Sequence, residues 1–341
     1  MIDAPDMSGG RAAADDAFAP VKTDAFNEGM AVYLVDPGSG ISFTLILYAL
    51  DGDAGRDGQN RATVSVNLPG GLVAKSLDRG GARTATEFRS DHLIYEQVEP
   101  FRRWRYRFSG PVAVLPQPET LRRVIDDPSE GVLTFDLQAN CVTPPWSPPS
   151  TVFASATPQA ANEPPIFGFY VQNVRFEGTV EIAGRELNVR GTGWRHHVRA
   201  RTWGAEIAGH HFIHVLFESG RAFGLQVAQL ETGEATGFGY VYEDGVLTPG
   251  VVRYITSWNT LINSGERVDV VLECDGRTVK VVGETLNNVS VSTGRGGFGV
   301  DLADADSRFM TFADTRWLWD GEAGYGTWER SQRVSALKPP C

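Results

Sequence analysis

From residue 28 onward the chain is a succession of short runs of Val, Ile, Phe, Tyr, Trp and Thr, each cut off by Gly, Pro, Asp or Asn. β-Branched and aromatic residues fit a pleated, half-buried surface, and the turn residues between them reverse the chain. MAVYLVDPGSGISFTLILYAL (30–50) reads as two strands around a Pro-Gly-Ser-Gly turn, followed by RATVSVNL (61–68), DHLIYEQV (91–98), RRWRYRF (102–108) and VLTFDLQANCV (132–142). The rhythm resumes at GFYVQNVRFEGTVEI (168–182) and runs to RFMTFADTRWLWDG (308–321), with hairpin turns expected at Asp244-Gly245 and Asp275-Gly276. Helical periodicity is confined to PETLRRVIDD (118–127). Two long series of antiparallel strands predict an all-β protein in which two barrels or sandwiches pack together.

The division is expected at VTPPWSPPSTVFASATPQAANEPP (142–165), whose seven prolines interrupt the strand pattern. Residues 28–141 then form one β-domain and 166–341 a second, with 1–27 as a flexible leader because nothing in it is periodic. A net charge of −11 argues against a nucleic-acid partner, which needs clustered Lys and Arg. No apolar run approaches the ~18 residues that span a bilayer. The acidic N-terminus has neither the basic nor the apolar region of a signal peptide, so the expected location is the cytoplasm. Cys141, Cys274 and Cys341 have no disulfide or zinc spacing. A homodimer remains open.

Five of the six histidines fall in GTGWRHHVRARTWGAEIAGHHFIH (191–214): His196, His197, His210, His211 and His214. On one strand, ligands of a metal must stand two apart to point the same way. Here the pairs are adjacent and split across two faces. If 190–199 and 210–217 pair as a hairpin, His197 faces Val215 and His210 faces Thr202, which separates the pairs further. No metal site is expected. The histidines are then packing residues, or acid/base groups if they face a lumen.

In RRWRYRF the alternation puts Trp104, Tyr106 and Phe108 on one face and Arg103, Arg105 and Arg107 on the other. The aromatic face is either a core layer or the wall of a lumen that holds one small apolar ligand. Just upstream, Asp91, His92, Tyr95 and Glu96 would supply acid/base groups if they face that lumen. There is no G-x-S-x-G elbow, and GRGGFG (294–299) lacks the strand-then-helix setting of a phosphate loop. No cofactor is expected, which leaves proton transfer or ligand binding.

VEPFRRWRYRFSGP (98–111), FDLQANCVTPP (135–145), YVQNVRFEGTVEIAGRELNVRGTGWRHH (170–197) and GYGTWER (324–330), in that order, resemble the double-lipocalin family of carotenoid 1,2-hydratase (hydroxyneurosporene synthase) and AttH-like proteins. The resemblance spans about residues 28–333. It implies two lipocalin-like (calycin) barrels with a ligand cavity in or between them. The family's central motif, G-x-G-x-R-D-H-S-W-G, is matched by Gly191, Gly193, Arg195 and His197, while His196 stands for its Asp, Val198 for its Ser and Arg199 for its Trp.

The resemblance implies a cofactor-independent enzyme acting on an apolar, isoprenoid- or polyketide-like small substrate. Hydration, isomerisation or cyclisation would follow from acid/base chemistry at a C=C or C=O bond. A pericyclase working by substrate shape and a non-catalytic lipocalin-type binder are the alternatives. The catalytic candidates are His197, His196, Arg195, Asp91 and Glu96. The substrate-binding candidates are Trp194, Trp203, Trp104, Tyr106, Tyr95, His210 and His214. Glu329 is expected to tie the last strand to the Arg-His-His motif by an ion pair.

Overall fold

A computed structural model describes residues 6–18, 27–50, 60–121, 131–149, 168–200, 207–256, 264–290 and 308–336. Ten strands make the first sheet: β1 (Asn27–Asp36), β2 (Ile41–Leu50), β3 (Asn60–Leu68), β4 (Leu72–Gly80), β5 (Glu87–Arg89), β6 (Leu93–Glu99), β7 (Arg103–Pro116), β8 (Gly131–Cys141), β9 (Gly168–Ile182) and β10 (Arg185–Ala200). They are ordered β4-β3-β2-β1-β10-β9-β8-β7-β6-β5, and pairing of β4 with β7 closes eight of them into a barrel.

The second sheet holds β11 (Ile207–Phe217), β12 (Ala222–Leu230), β13 (Ala235–Glu243), β14 (Val246–Ile255), β15 (Arg267–Cys274), β16 (Arg277–Thr285), β17 (Val289–Ser290), β18 (Arg308–Trp319) and β19 (Glu322–Arg333). Pairing of β16 with β18 closes a second eight-stranded antiparallel barrel. The expected all-β architecture of two lipocalin-like barrels is the one observed. Among the described residues no helix is long and apolar enough to cross a membrane.

Local chemistry explains the joints. Asp244 and Gly245, and likewise Asp275 and Gly276, all have positive φ, which matches the twist of the strands they join. The Pro-Gly-Ser-Gly segment turns β1 into β2, with the Asp36 carboxylate accepting from the backbone N–H of Gly38 and Ser39. In β7, Trp104, Tyr106 and Phe108 are buried inside the first barrel, while Arg105 pairs outside with Asp136 at 2.5 Å and Arg107 with Glu96 at 3.1 Å. Of 118–127, the described part is the end of a short 3₁₀ turn, Gln117–Leu121.

Three expectations meet a different arrangement. β9 and β10 extend the first sheet, pairing with β8 and β1, so the change of sheet falls after Ala200 and not in the proline-rich 142–165 segment. Within that segment Trp146 bridges to Val171 of β9. Secondly, β10 and β11 do not form a hairpin: β10 pairs with β1 and β9, β11 with β12 and β19. Each is an end strand that must close its own barrel, and that non-local demand overrides sequence proximity. Thirdly, residues 6–18 of the expected leader are anchored: Asp16 and Phe18 are buried against the first barrel, while residues 12–15 are exposed. One aromatic ring and one carboxylate with buried partners anchor a stretch that has no periodicity to reveal it.

Candidate active site

β10 has two buried faces, and this organises the site. Its residues pair one-to-one with β1, so Arg195 and His197 share a face with Val32 and Met30 inside the first barrel. Trp194 and His196 share the other face with Tyr33 and Ala31, against the second barrel. Gly191 and Gly193 belong here too: a Cβ at either would collide with the β1 backbone at Val35 or Tyr33, so the Gly-x-Gly of the motif lets β10 close on β1.

The seam between the barrels is formed by β1 and β10 on one side and β11 and β19 on the other. His196 is buried among aromatic rings, 5.7 Å from Trp194, 5.3 Å from Phe169 and 6.2 Å from Tyr33 between ring centroids. Among the described residues neither of its nitrogens has a hydrogen-bond partner, and the same is true of Trp194 Nε1 and His214 Nε2. Trp194 stacks on Tyr33 at 4.1 Å and meets His214 at 4.6 Å. The other edge of His214 lies 3.3 Å from the Tyr240 hydroxyl, which donates to Asn173 Oδ1 at 2.5 Å. Burial pushes the His196 pKa down to about 4 and holds that of His214 well below its ordinary value, so both rings are neutral near pH 7.

A charged relay borders these rings. Glu329 accepts from the Tyr33 hydroxyl at 2.6 Å and lies 3.0 Å from His210 Nε2, while Ser331 Oγ is 2.6 Å from His210 Nδ1. Burial alone would raise the Glu329 pKa, but the hydrogen bonds and charge of its partners outweigh it and hold the group an anion. Glu329 thus does not pair with the Arg-His-His motif: it ties the last strand to the first barrel through Tyr33 of β1, while His210 is its neighbour on β11 of the second barrel.

Inside the first barrel His197, Tyr170 and the Asp16 carboxylate are engaged by neighbouring polar groups. His197 lies 2.9 Å from Glu28 Oε1 and 3.3 Å from the Tyr170 hydroxyl, and Glu28 also receives Arg83 at 2.9 Å. Tyr170 donates to Asp16, which is held by Arg195 at 2.6 Å and by the Phe101 backbone N–H at 2.5 Å. Arg195 also donates to Gln172 at 2.6 Å and stacks over Trp104 at 4.4 Å. Burial would raise the Asp16 pKa, yet Arg195 and the two hydrogen bonds bring it below the ordinary carboxylate value.

The sequence candidates therefore divide. His197, Arg195, Trp104, Tyr106 and Tyr95 meet inside the first barrel. His196, Trp194, His210 and His214 meet at the seam. Asp91 is exposed at the barrel rim and Glu96 lies on the outer wall with Arg107, so neither faces a lumen. The odd-even alternation that buries Tyr95 turns Glu96 out. Trp203 and GRGGFG lie outside the described residues. The adjacent histidine pairs do split across faces, with His211 inside the second barrel, where it accepts from Trp328 Nε1 at 3.2 Å. Sequence reasoning missed Asp16, Glu28, Tyr33, Tyr170 and Tyr240. Tyr33 was legible from β1 alternation, whereas nothing in the leader marks Asp16.

Residues 12–334 match the family described as Domain of unknown function (DUF7064). The chain belongs to that family. A comparison with curated protein sequences gives no match. Among solved structures, a Nitrosomonas europaea protein assigned as AttH superposes with a TM-score of 0.58 at 13% identity, covering 91% of this chain and 93% of that one. CghA with Sch210972 gives 0.53 at 12%, covering 91% and 89%. Kievitone hydratase from Nectria haematococca gives 0.52 at 11%, covering 94% and 91%. The DUF7064 chain thus has the AttH-like double-lipocalin fold that its motif order resembles. At these identities the likeness speaks for the fold.

Proposed function

We propose that this DUF7064 protein is a cofactor-independent enzyme that polarises a C=O or C=C bond of an apolar, isoprenoid- or polyketide-like substrate at the seam between its barrels. The outcome is isomerisation, cyclisation or hydration. The observation that carries this reading is His196: a buried imidazole among aromatic rings, with both nitrogens unpartnered among the described residues. An unpartnered buried polar group costs about 1–3 kcal/mol, which a purely structural position would avoid by carrying an apolar residue.

A neutral imidazole offers one N–H donor and one basic nitrogen. At the seam, His196 would polarise a substrate oxygen and pass a proton to or from the adjoining carbon, with the free edge of His214 at a second point on the molecule. The rings of Trp194 and Phe169 beside His196 would stabilise developing positive charge by about 0.5–2 kcal/mol per well-placed ring. The barrel-1 pair His197–Glu28 is consumed by its partners and holds β1 and β10 in register beneath the site. One similar fold is named a hydratase, which agrees with hydration as one of these outcomes.

The test is to incubate the protein with an apolar metabolite extract in ¹⁸O-labelled water and follow products by mass spectrometry. Hydration adds labelled oxygen, and cyclisation or isomerisation changes retention at constant mass. Loss of product in folded His196→Gln is expected. Unchanged product in both His196→Gln and His214→Gln refutes the assignment, and tight retention of an unaltered compound would make the protein a binder.

A further inference from the structure

The first barrel contains a second set of unsatisfied groups, on the other side of the β1–β10 wall from the seam. Arg195 uses Nη2 for Asp16, Tyr170 and Gln172 and has the Cys141 thiol beside it, while Nε and Nη1 have no oxygen or nitrogen partner among the described residues. Trp104 Nε1, Tyr106 OH and Tyr95 OH are likewise buried without partners. These groups are neighbours: Arg195 lies over Trp104 at 4.4 Å, Trp104 stacks parallel to Tyr106 at 6.5 Å, and Tyr106 meets Tyr95 edge-on at 5.0 Å. All four residues are at most 1% exposed. Five buried orphan atoms on four neighbouring residues are more than a barrel core tolerates without something to receive them.

The chemistry of the orphans selects the ligand. A guanidinium edge and an indole N–H only donate, and each phenol has a proton to give. Asp16 already neutralises Arg195, so a carboxylate added here would be an uncompensated buried charge, which is costly. A neutral acceptor oxygen adds none. The apolar part of the site is also defined, because the Phe18 ring occupies the barrel mouth, 5.3 Å from Phe88, 5.8 Å from Trp104 and 6.0 Å from His197. The geometry points to a ligand site inside the first barrel for a neutral, apolar carbonyl compound, its oxygen on Arg195, Trp104 and Tyr106 and its hydrocarbon body in the place of the Phe18 ring. Residues 6–18 form the stopper of that site, latched by Asp16 on Arg195, Tyr170 and the Phe101 N–H. This site does not depend on the seam chemistry.

The probe is prodan, a neutral naphthyl ketone whose emission moves to the blue in apolar surroundings and responds to hydrogen bonds at its carbonyl. The full chain is expected to bind one equivalent, and Phe18→Ala, by opening the mouth, to bind it at least tenfold more tightly. In the Phe18→Ala background, Tyr106→Phe removes one hydroxyl with little change of shape and is expected to weaken binding about tenfold, the loss of one hydrogen bond. His196→Phe in the same background is expected to leave binding unchanged. The naphthalene analogue that lacks the carbonyl is expected to bind equally well to Phe18→Ala with and without Tyr106→Phe. No binding to Phe18→Ala overturns the proposal, as does binding that His196→Phe abolishes and Tyr106→Phe leaves intact, which would place the ketone at the seam.

Discussion

Acid sensitivity is the sharpest consequence of burying neutral histidines. Burial pushes His196 down to about 4 and His211, aided by the charges of His210 and Arg330, down to about 3, and holds His214 well below its ordinary value. The unfolded chain protonates each of these rings near pH 6.5. Below that value the unfolded state binds protons that the folded state refuses, so stability is complete above pH 6.5 and falls as the pH drops towards the folded values. At pH 5.5 His196 and His211 each contribute a slope of about 1.2 kcal/mol per pH unit, together about 2.4, and His214 acts in the same direction. Between pH 7 and pH 5 the loss from His196 and His211 is about 4 kcal/mol, a large share of the total stability of an ordinary domain at about 5–15 kcal/mol. Asp16 and Glu329, whose folded pKa values are lowered, add their own loss only below the unfolded carboxylate range, so the windows separate. Urea unfolding at intervals from pH 7.5 to 5 measures the slope directly. His196→Gln and His211→Gln should each lower the slope by about 1.2 kcal/mol per pH unit, whatever they do to the stability at pH 7.5. A stability flat from pH 7 to 5, or a slope untouched by both variants, refutes the claim that these rings are buried neutral.

His196→Phe should abolish turnover while leaving the free energy of unfolding at pH 7.5 unchanged or raised by up to about 2 kcal/mol, since it removes an unpartnered polar ring from an aromatic seam. A strongly destabilised variant would mean that His196 has a structural partner. Asp314, fully buried on β18, accepts from Ser42, Asn67 and Asn287 and so joins the second barrel to β2 and β3 of the first. Asp314→Ala strands those donors and should cost about 2–5 kcal/mol in urea unfolding, with loss under 1 kcal/mol disproving the link. Asp16→Asn leaves Arg195 buried without its counter-charge and should cost about 3 kcal/mol while exposing residues 6–18 to limited proteolysis. An unchanged cleavage pattern there would show that the segment is held by other contacts.

Much of the fold was legible because strand patterns are local. Alternation in RRWRYRF assigned the inner and outer faces of β7 correctly, since adjacent residues of any strand must point opposite ways. The same rule split the adjacent histidines and turned Glu96 outward. What alternation leaves open is whether the outward face meets water. For β7 it does, whereas for β1, β10, β11 and β19 it meets another barrel, and Trp194, His196, His210 and His214 are buried there. The proline-rich 142–165 segment was a natural boundary by composition, yet closing an eight-stranded barrel required β9 and β10 from beyond it.

By itself the sequence determined the strand content, the tight turns at Asp-Gly pairs, the two-faced character of each strand and, through its motif order, the double-lipocalin architecture. These follow from backbone sterics and side-chain polarity within a few residues. Only the tertiary structure decided which histidine is free. His196 and His197 are adjacent in the chain and chemically identical. One projects into the first barrel, where Glu28 and Tyr170 occupy both nitrogens, and the other into the seam, where neither is occupied. That difference depends on partners 27 to 169 residues away along the chain, and no local pattern carries it.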